Sequence, residues 1–416
     1  MLKALRHRNF RIFFVGQSIS LVGTWMQQIA LSWLVYHMTN SVLLLGVVGF
    51  SSQITTFLLA PFAGVIADRH HKHRLLLITQ GAAMLQAVVL TVLVFTHAIT
   101  VWQIIALSLI LGVINAFDIP VRQAFTVQMI DLKEDLSNAI ALNSSMVNAA
   151  RFIGPSLGGL LIAVAGEGMC FLLNALSYIA VLASLQMMRI AHHPNRENQQ
   201  SILVELKEGF HYTFDFLPIR AILFLLSMVS FVSGGSQILM PVFAKDIFHG
   251  GSQTLGLLMG VSGLGALCGA LYLASRKTVL GLGRVIMTSS ILFGVGLISF
   301  TLMPYLWLSM AALFFSGFGV MVQMAASNTV LQTMVDEDKR GRVMSFYTMA
   351  FMGMSPFGSL IAGSMAHHWG PKCVLLWGGC VVILAGLLFA TVLPRVRELI
   401  RPLYVQKGIL PVNYSS

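Results

Sequence analysis

Apolar runs of roughly twenty residues, parted by short polar connections, repeat along this chain from one end to the other. A helical membrane span needs about 20 such residues, and the runs predict about twelve spans, near 10–36, 42–67, 75–97, 101–121, 138–165, 168–190, 219–244, 254–275, 283–301, 305–327, 342–367 and 371–393. The first run is longer than the apolar core of a signal peptide and lacks a cleavage site, so it reads as a retained span. The expected fold class is all-α integral membrane.

The longest polar stretch, 191–218, contains His192 to Gln200 and follows the sixth span. It divides the chain into an N-terminal six-helix bundle (1–190), a linker (191–218), a C-terminal six-helix bundle (219–394) and a tail (395–416). Weak echoes cross the divide. Gly158-Gly159-Leu160-Leu161 in span five resembles Gly358-Ser359-Leu360-Ile361 in span eleven, and Gly64 to Arg69 is echoed by Gly269 to Arg276. Two pseudo-symmetric bundles joined by a linker suit a carrier that rocks about a site at mid-membrane. Residues 203–216 are mildly amphipathic and predict a helix lying on the membrane surface.

Composition agrees with the pattern. The chain has 416 residues, 56% hydrophobic and 10% charged, with a mean hydropathy of +0.81. A soluble domain could not cover that much apolar surface. The net charge of +11 lies almost wholly on one side of the span map, with only Lys245 and Lys372 opposite. By the positive-inside rule, both termini are expected in the cytoplasm. No basic patch lies outside the positions that flank spans, so anionic lipid headgroups account for the charge and a nucleic-acid partner is excluded.

Enzymatic and cofactor readings find no support. Cys170, Cys268, Cys373 and Cys380 form no CxxC or Cys/His cluster, and so suggest neither metal nor redox chemistry. No GxxxxGK[ST], HExxH or GxSxG motif occurs, so neither ATP hydrolysis nor a catalytic site is indicated. No cofactor is expected.

One loop stands out. Gly64-Val65-Ile66-Ala67-Asp68-Arg69-His70-His71-Lys72-His73-Arg74 packs an acid and several bases between two apolar spans, a costly arrangement unless it pairs. It resembles the signature loop of the major facilitator superfamily, although His70 and His71 stand where a small residue and glycine are common. Gly154-Pro155 with Gly158 and Gly159 resembles an element of span five in the superfamily's exporters. Asn9-Phe10-Arg11, Gly23 to Ala30 with Trp33, and Asp118-Ile119-Pro120-Val121-Arg122-Gln123-Ala124 are similar to the branch that contains the enterobactin exporter and macrolide efflux proteins. The resemblance covers nearly the whole chain and implies twelve helices in two six-helix bundles.

It also implies roles. Gly64, Asp68, Arg69, Arg74, Asp118 and Arg122 are read as a conformational latch on the cytoplasmic side. In it, Asp68 meets the start of span eleven near Gly341 to Ser345, and Asp118 faces Arg69 or Arg74. Gly154, Pro155, Gly158 and Gly159 are read as a gating hinge, since proline bends a span and small residues let backbones approach. Ser275 replaces the aspartate in the second-half echo, so the latch is expected to be asymmetric.

Polar residues inside spans mark the substrate path. Gln17, Thr24, Gln27 and Gln28 fall on one broad face of span one, and Asn148 and Arg151 follow helical spacing in span five. Asn115, Gln237 and Gln323 complete the candidate substrate set. Arg151 lies about thirteen residues into its span, roughly 20 Å from the edge at 1.5 Å per residue. From there it cannot reach water by snorkelling, so it faces a cavity or a buried acceptor. It suits an anionic or catecholate-like substrate; the competing reading is a structural arginine held by carbonyls or Asn115.

The acids near the membrane are Asp118, Glu167, Asp215 and Asp246, all towards span ends; Asp118 and Glu167 are the proton-coupling candidates, and proton antiport itself is implied by the resemblance. The expected protein is a monomeric multi-pass exporter of the bacterial inner membrane, moving a small amphipathic molecule such as a siderophore, drug or macrolide. A lipid or lysolipid translocase of the same fold is the alternative, and a membrane receptor or enzyme fits less well.

Overall fold

A computed structural model describes residues 3–69, 71–130, 132–188, 212–276, 278–407 and 409–410. Among them are twelve long helices and no strand: α1 (Arg8–Thr39), α2 (Val42–Arg69), α3 (Lys72–Phe95), α4 (Val101–Gln128), α5 (Leu136–Ala165), α6 (Glu167–Gln186), α7 (Leu217–Val242, continued by a π-helical turn Phe243–Ile247), α8 (Ser252–Ser275), α9 (Leu282–Leu302), α10 (Leu306–Met334), α11 and α12 (Pro371–Gln406). α11 is built in three pieces, Glu337–Thr348, a π-helical turn Met349–Gly353, and Met354–Trp369.

Eleven of these helices are long and apolar enough to cross a membrane. The remaining one, α1, is the longest of the first six, but Gln17, Gln27 and Gln28 lower its hydropathy. The expected surface helix over 203–216 falls outside the described residues as far as 211.

Local signals set the short connections. α1 stops at Asn40, which takes the left-handed conformation (φ 47°) and returns its N–H to the Tyr36 carbonyl. A capping box opens α4, with Thr100 and Gln103 each bonding the other's backbone N–H. This arrangement satisfies two of the amides that a helix start leaves open. Gly166, at φ 78°, turns the chain between α5 and α6 in a single residue, a conformation that a side chain would strain.

The chain divides into two compact units. The first comprises Met1–Asn198, Gln237–Leu264 and Ser359–Pro371, and the second Gln199–Ser236, Gly265–Gly358 and Lys372–Ser416. α7, α8 and α11 therefore each contribute to both.

In the first unit α1 packs on α5 and α6, α3 on α4 and α6, and α2 on α4. At the end that holds the N-terminus, Phe10, Phe13, Leu76, Phe125 and Leu185 form an apolar plug. Between the helices a polar chain replaces apolar packing. Asn174 donates to Gln27 Oε1 (2.7 Å), Gln27 donates to Gln86 Oε1 (3.1 Å), and Gln86 donates to the Leu107 carbonyl (3.4 Å). Gly23 makes room for it, since a Cβ there would lie 2.7 Å from Asn174 Oδ1. Each amide in this chain is bonded, which is the condition for burying it without a large penalty.

In the second unit, α9 packs on α10, and an apolar core runs from Ile219 and Leu226 through Phe293 and Val330 to Phe389. α12 continues beyond its apolar stretch, past Pro394 and Pro402, and buries Val396, Ile400 and Tyr404 against the same core. Lys407 closes this extension by donating to the Thr333 and Val335 carbonyls (3.0 and 2.9 Å) at the end of α10. A cation on terminal carbonyls also complements the helix dipole.

Candidate functional site

The first unit holds a close seam between helices of the two sequence halves. On one side of it, α5 meets α8. Cβ atoms added to Gly159 or Gly256 would sit 2.7 and 2.9 Å from the other's Cα, and Ser252 donates to the Gly159 carbonyl (3.1 Å). On the other side α2 meets α11: a Cβ on Gly46 would lie 2.9 Å from the Ser359 carbonyl, and one on Gly363 2.8 Å from Gly46 Cα. Helices can approach this closely only where small residues face each other. The sequence echo between Gly158-Gly159 and Gly358-Ser359 lands on these two corresponding crossings.

The candidate hinge residues use both faces of α5. Gly154 and Gly158 face α1, against Trp25 and Ile29, while Pro155 and Gly159 face α8. Pro155 sits inside an unbroken helix, and its carbonyl lies against Gly256.

Gly154 also builds the site around Arg151. Because it has no side chain, Trp25 lies against α5, and the Arg151 guanidinium stacks over the Trp25 ring at 5.1 Å. Such stacking is worth about 2 kcal/mol when shielded from water. Arg151 is half-buried, and its Nε is buried without a hydrogen-bond partner. The arginine is thus held by an aromatic face, while part of its donor fork is unused. Planar anions bind such a fork through two parallel hydrogen bonds.

The other candidate substrate residues separate into four groups. Gln27 is consumed by the interior chain with Gln86 and Asn174, so it does not present its amide to a cavity. Thr24 and Asn148 bond carbonyls of their own helices, those of Ser20 (3.0 Å) and Ser144 (2.8 Å). Gln28 and Gln237 are exposed, and Asn115 is half-buried. Gln17 is buried with its Oε1 unbonded. In the second unit, Gln323 is fully buried, donates to Ser327 (3.3 Å) and leaves its Oε1 unbonded.

Asp118 is buried in α4. Its Oδ1 accepts from Thr79 (2.9 Å) and Gln80 (2.7 Å) of α3, and its Oδ2 pairs with Arg122 at 3.4 Å. The described partners of Asp118 therefore come from α3 and its own helix, and Arg74, expected opposite it, is exposed on the first turn of α3. The side chains of Gly64 to Arg69, including Asp68 and Arg69, lie outside the described residues. Gln323 and Ser327 stand as far into α10 (from 306) as Asp118 and Arg122 stand into α4 (from 101), and they too bond each other. The two halves thus share a polar pair, charged in the first and neutral in the second. Glu167 opens α6 and stands 3.6 Å from the exposed His37.

Gln86 and Asn174 are absent from the expected substrate set because they belong to spans three and six, outside the spans expected to line the path. The same rule that selects Gln27, a polar side chain within a span, would find them. The described residues contain no group of His, Cys, Asp and Glu able to hold a metal.

The transmembrane secretion effector family matches residues 1–401. The chain belongs to that family, a branch of the major facilitator superfamily, whose members are transporters and not enzymes. It is 28% identical to the staphyloferrin A transporter of Staphylococcus aureus over 86% of this chain and 90% of the relative. It is 24% identical to the enterobactin exporter of Citrobacter koseri (97% and 96%) and 23% to the multidrug efflux pump Tap of Mycolicibacterium fortuitum (91% and 93%). The fold is similar to a POT family transporter solved with 5-aminolevulinic acid, at a TM-score of 0.75 and 11% identity, covering 94% of this chain and 96% of that one.

Proposed function

We propose that this chain is a secondary transporter that exports a small amphipathic molecule, a siderophore or drug, from the bacterial cytoplasm by alternating access. One observation carries the reading: Arg151, deep in α5, is stacked on Trp25 with a buried, unpartnered Nε. A cation held this way inside a membrane bundle is a costly feature, and an anionic or polar substrate group is what offsets it. The relatives named for siderophore transport and multidrug efflux agree with that chemistry.

In this reading the 1–190 and 219–394 bundles are the moving bodies, 191–218 links them, 395–416 is a tail, and both termini are cytoplasmic. The seam of Gly46, Gly159, Gly256 and Gly363 belongs to the external side and closes behind the substrate. Asp68, Arg69, Arg74, Asp118 and Arg122 form the cytoplasmic latch. The carrier works as a monomer driven by proton antiport, with Asp118 the stronger coupling candidate because Glu167 sits at a helix end.

The test is transport in proteoliposomes with an imposed pH gradient, across catecholate and hydroxycarboxylate siderophores, macrolides and lysolipids. The expected result is gradient-dependent transport of a siderophore or drug that falls at least about tenfold in Arg151→Gln, the scale of one charge-assisted interaction. Lysolipid transport alone would replace the reading with a lipid translocase. Transport that ignores the gradient would remove proton coupling.

A further inference from the structure

Four polar side chains at the facing ends of α1 and α7 lie outside every role assigned above. Tyr36 is buried, and its hydroxyl donates to Asp246 Oδ2. One helical turn later, the Asn40 side-chain oxygen accepts from Lys245 Nζ at 2.7 Å. The Lys245 ammonium also stands 5.4 Å over the Tyr36 ring. Two adjacent residues of α7 thereby grip two residues of α1 spaced i, i+4.

Neighbouring residues of a regular α-helix point about 100° apart and do not ordinarily reach one partner face together. The π-helical turn Phe243–Ile247, just after Pro241, resets the helix face at this point. Such turns are rare and concentrate at functional positions. The turn is anchored by Phe243 and Ala244, both fully buried. On the α1 side, Asn40 is fixed by its left-handed cap conformation.

The contact joins helices from opposite sequence halves at the same end as the Gly159–Gly256 and Gly46–Gly363 crossings. Those crossings are close contacts of small residues with one neutral hydrogen bond, from Ser252 to the Gly159 carbonyl. The Tyr36–Asp246 bond is charge-assisted and directional, and so roughly twice as strong as a neutral one. It is also reversible, because both partners are polar groups that water can satisfy once they separate.

We infer that Tyr36, Asn40, Lys245 and Asp246 form an external clamp whose release is a required step in opening the seam. The inference rests on the alternating-access reading above. Tyr36 and Asp246 supply the strong bond, while Lys245 pins the Asn40 cap and shields the tyrosine ring. Opening breaks both bonds together, because the partners share one turn of each helix. None of the four residues needs to touch the substrate.

The test uses the full chain in a background with Cys170, Cys268, Cys373 and Cys380 replaced by alanine. Ser252→Cys then serves as the reporter, being nearly isosteric and buried at the α5–α8 crossing away from the clamp itself. The rate of labelling by a membrane-impermeant maleimide is measured in intact cells and in inside-out vesicles. It is compared for the parent, Tyr36→Phe, Asp246→Ala and the double variant, alanine being chosen because asparagine would still accept from the tyrosine hydroxyl. The clamp predicts that each single variant raises the rate about tenfold, the scale of one charge-assisted hydrogen bond. The double variant should add nothing further, because both changes remove the same bond. Unchanged rates in the single variants, or a double effect equal to the product of the singles, would overturn the clamp. Labelling only in inside-out vesicles would overturn the external placement, while the ratio of variant to parent would still decide the clamp.

Discussion

Placing a side chain in the seam tests whether its two crossings close as tightly in the working protein as they do here. At Gly256, a Cβ would lie 2.8 Å from the Pro155 carbonyl and 2.9 Å from Gly159 Cα, and its neighbours are backbone atoms that cannot swing aside. Gly256→Ala is therefore expected to cost about 1–3 kcal/mol in any state with the seam closed. That exceeds the gain of roughly 0.5–1 kcal/mol from replacing glycine inside a helix. Gly256→Val, with two further carbons, extends the same perturbation. Gly81 provides the control: it lies within α3 with nothing inside 4 Å of the position a Cβ would take, so Gly81→Ala should be neutral or stabilising. Thermal melting of purified protein reads the first effect, with Gly256→Ala below the parent and Gly81→Ala level with it or above. Transport reads the second. At about 1.4 kcal/mol per tenfold, the alanine should shift the balance away from the closed seam by roughly five- to a hundredfold. A Gly256→Val protein that melts and transports like the parent would refute the tight seam.

Three further outcomes follow from the same contacts. Gln27→Leu orphans the amides of Gln86 and Asn174, so thermal stability should fall by about 1–3 kcal/mol, with the apparent KM for substrate unchanged; a raised KM at normal stability would return Gln27 to the substrate path. Asp118→Asn turns a donor toward Arg122 and should lower both the melting temperature and transport. Adding Arg122→Gln should recover the melting temperature but not transport, and recovery of both would make the pair purely structural. Lys407→Met removes the cation from the end of α10 and should lower stability by no more than about 1 kcal/mol, measured by melting, because its ion-pair partner Asp336 is solvent-exposed.

The spans are legible in hydropathy because the cost of placing a residue in hydrocarbon is set locally, one side chain at a time. Gly154, Pro155 and Gly159 are readable for a related reason: small residues and proline change a helix whatever lies beside it. Arg151 announces itself through depth alone. Gln27, by contrast, looks like Arg151 in sequence but closes a chain with Gln86 and Asn174. Asp118 is held by Thr79 and Gln80, residues that carry no distinguishing pattern.

What the sequence determined by itself, then, was which segments cross the membrane, which family signature they carry and which polar groups need an explanation. Only the tertiary structure decided the explanation: Gln27 inside a satisfied network, Arg151 on Trp25 with a donor unused, Tyr36 on Asp246 through a π-helical turn, Gly159 against Gly256. The physical reason is that transfer into an apolar medium depends on the residue alone, whereas a hydrogen bond or a close crossing depends on a partner from another helix, and which partner it meets is settled only when the helices pack.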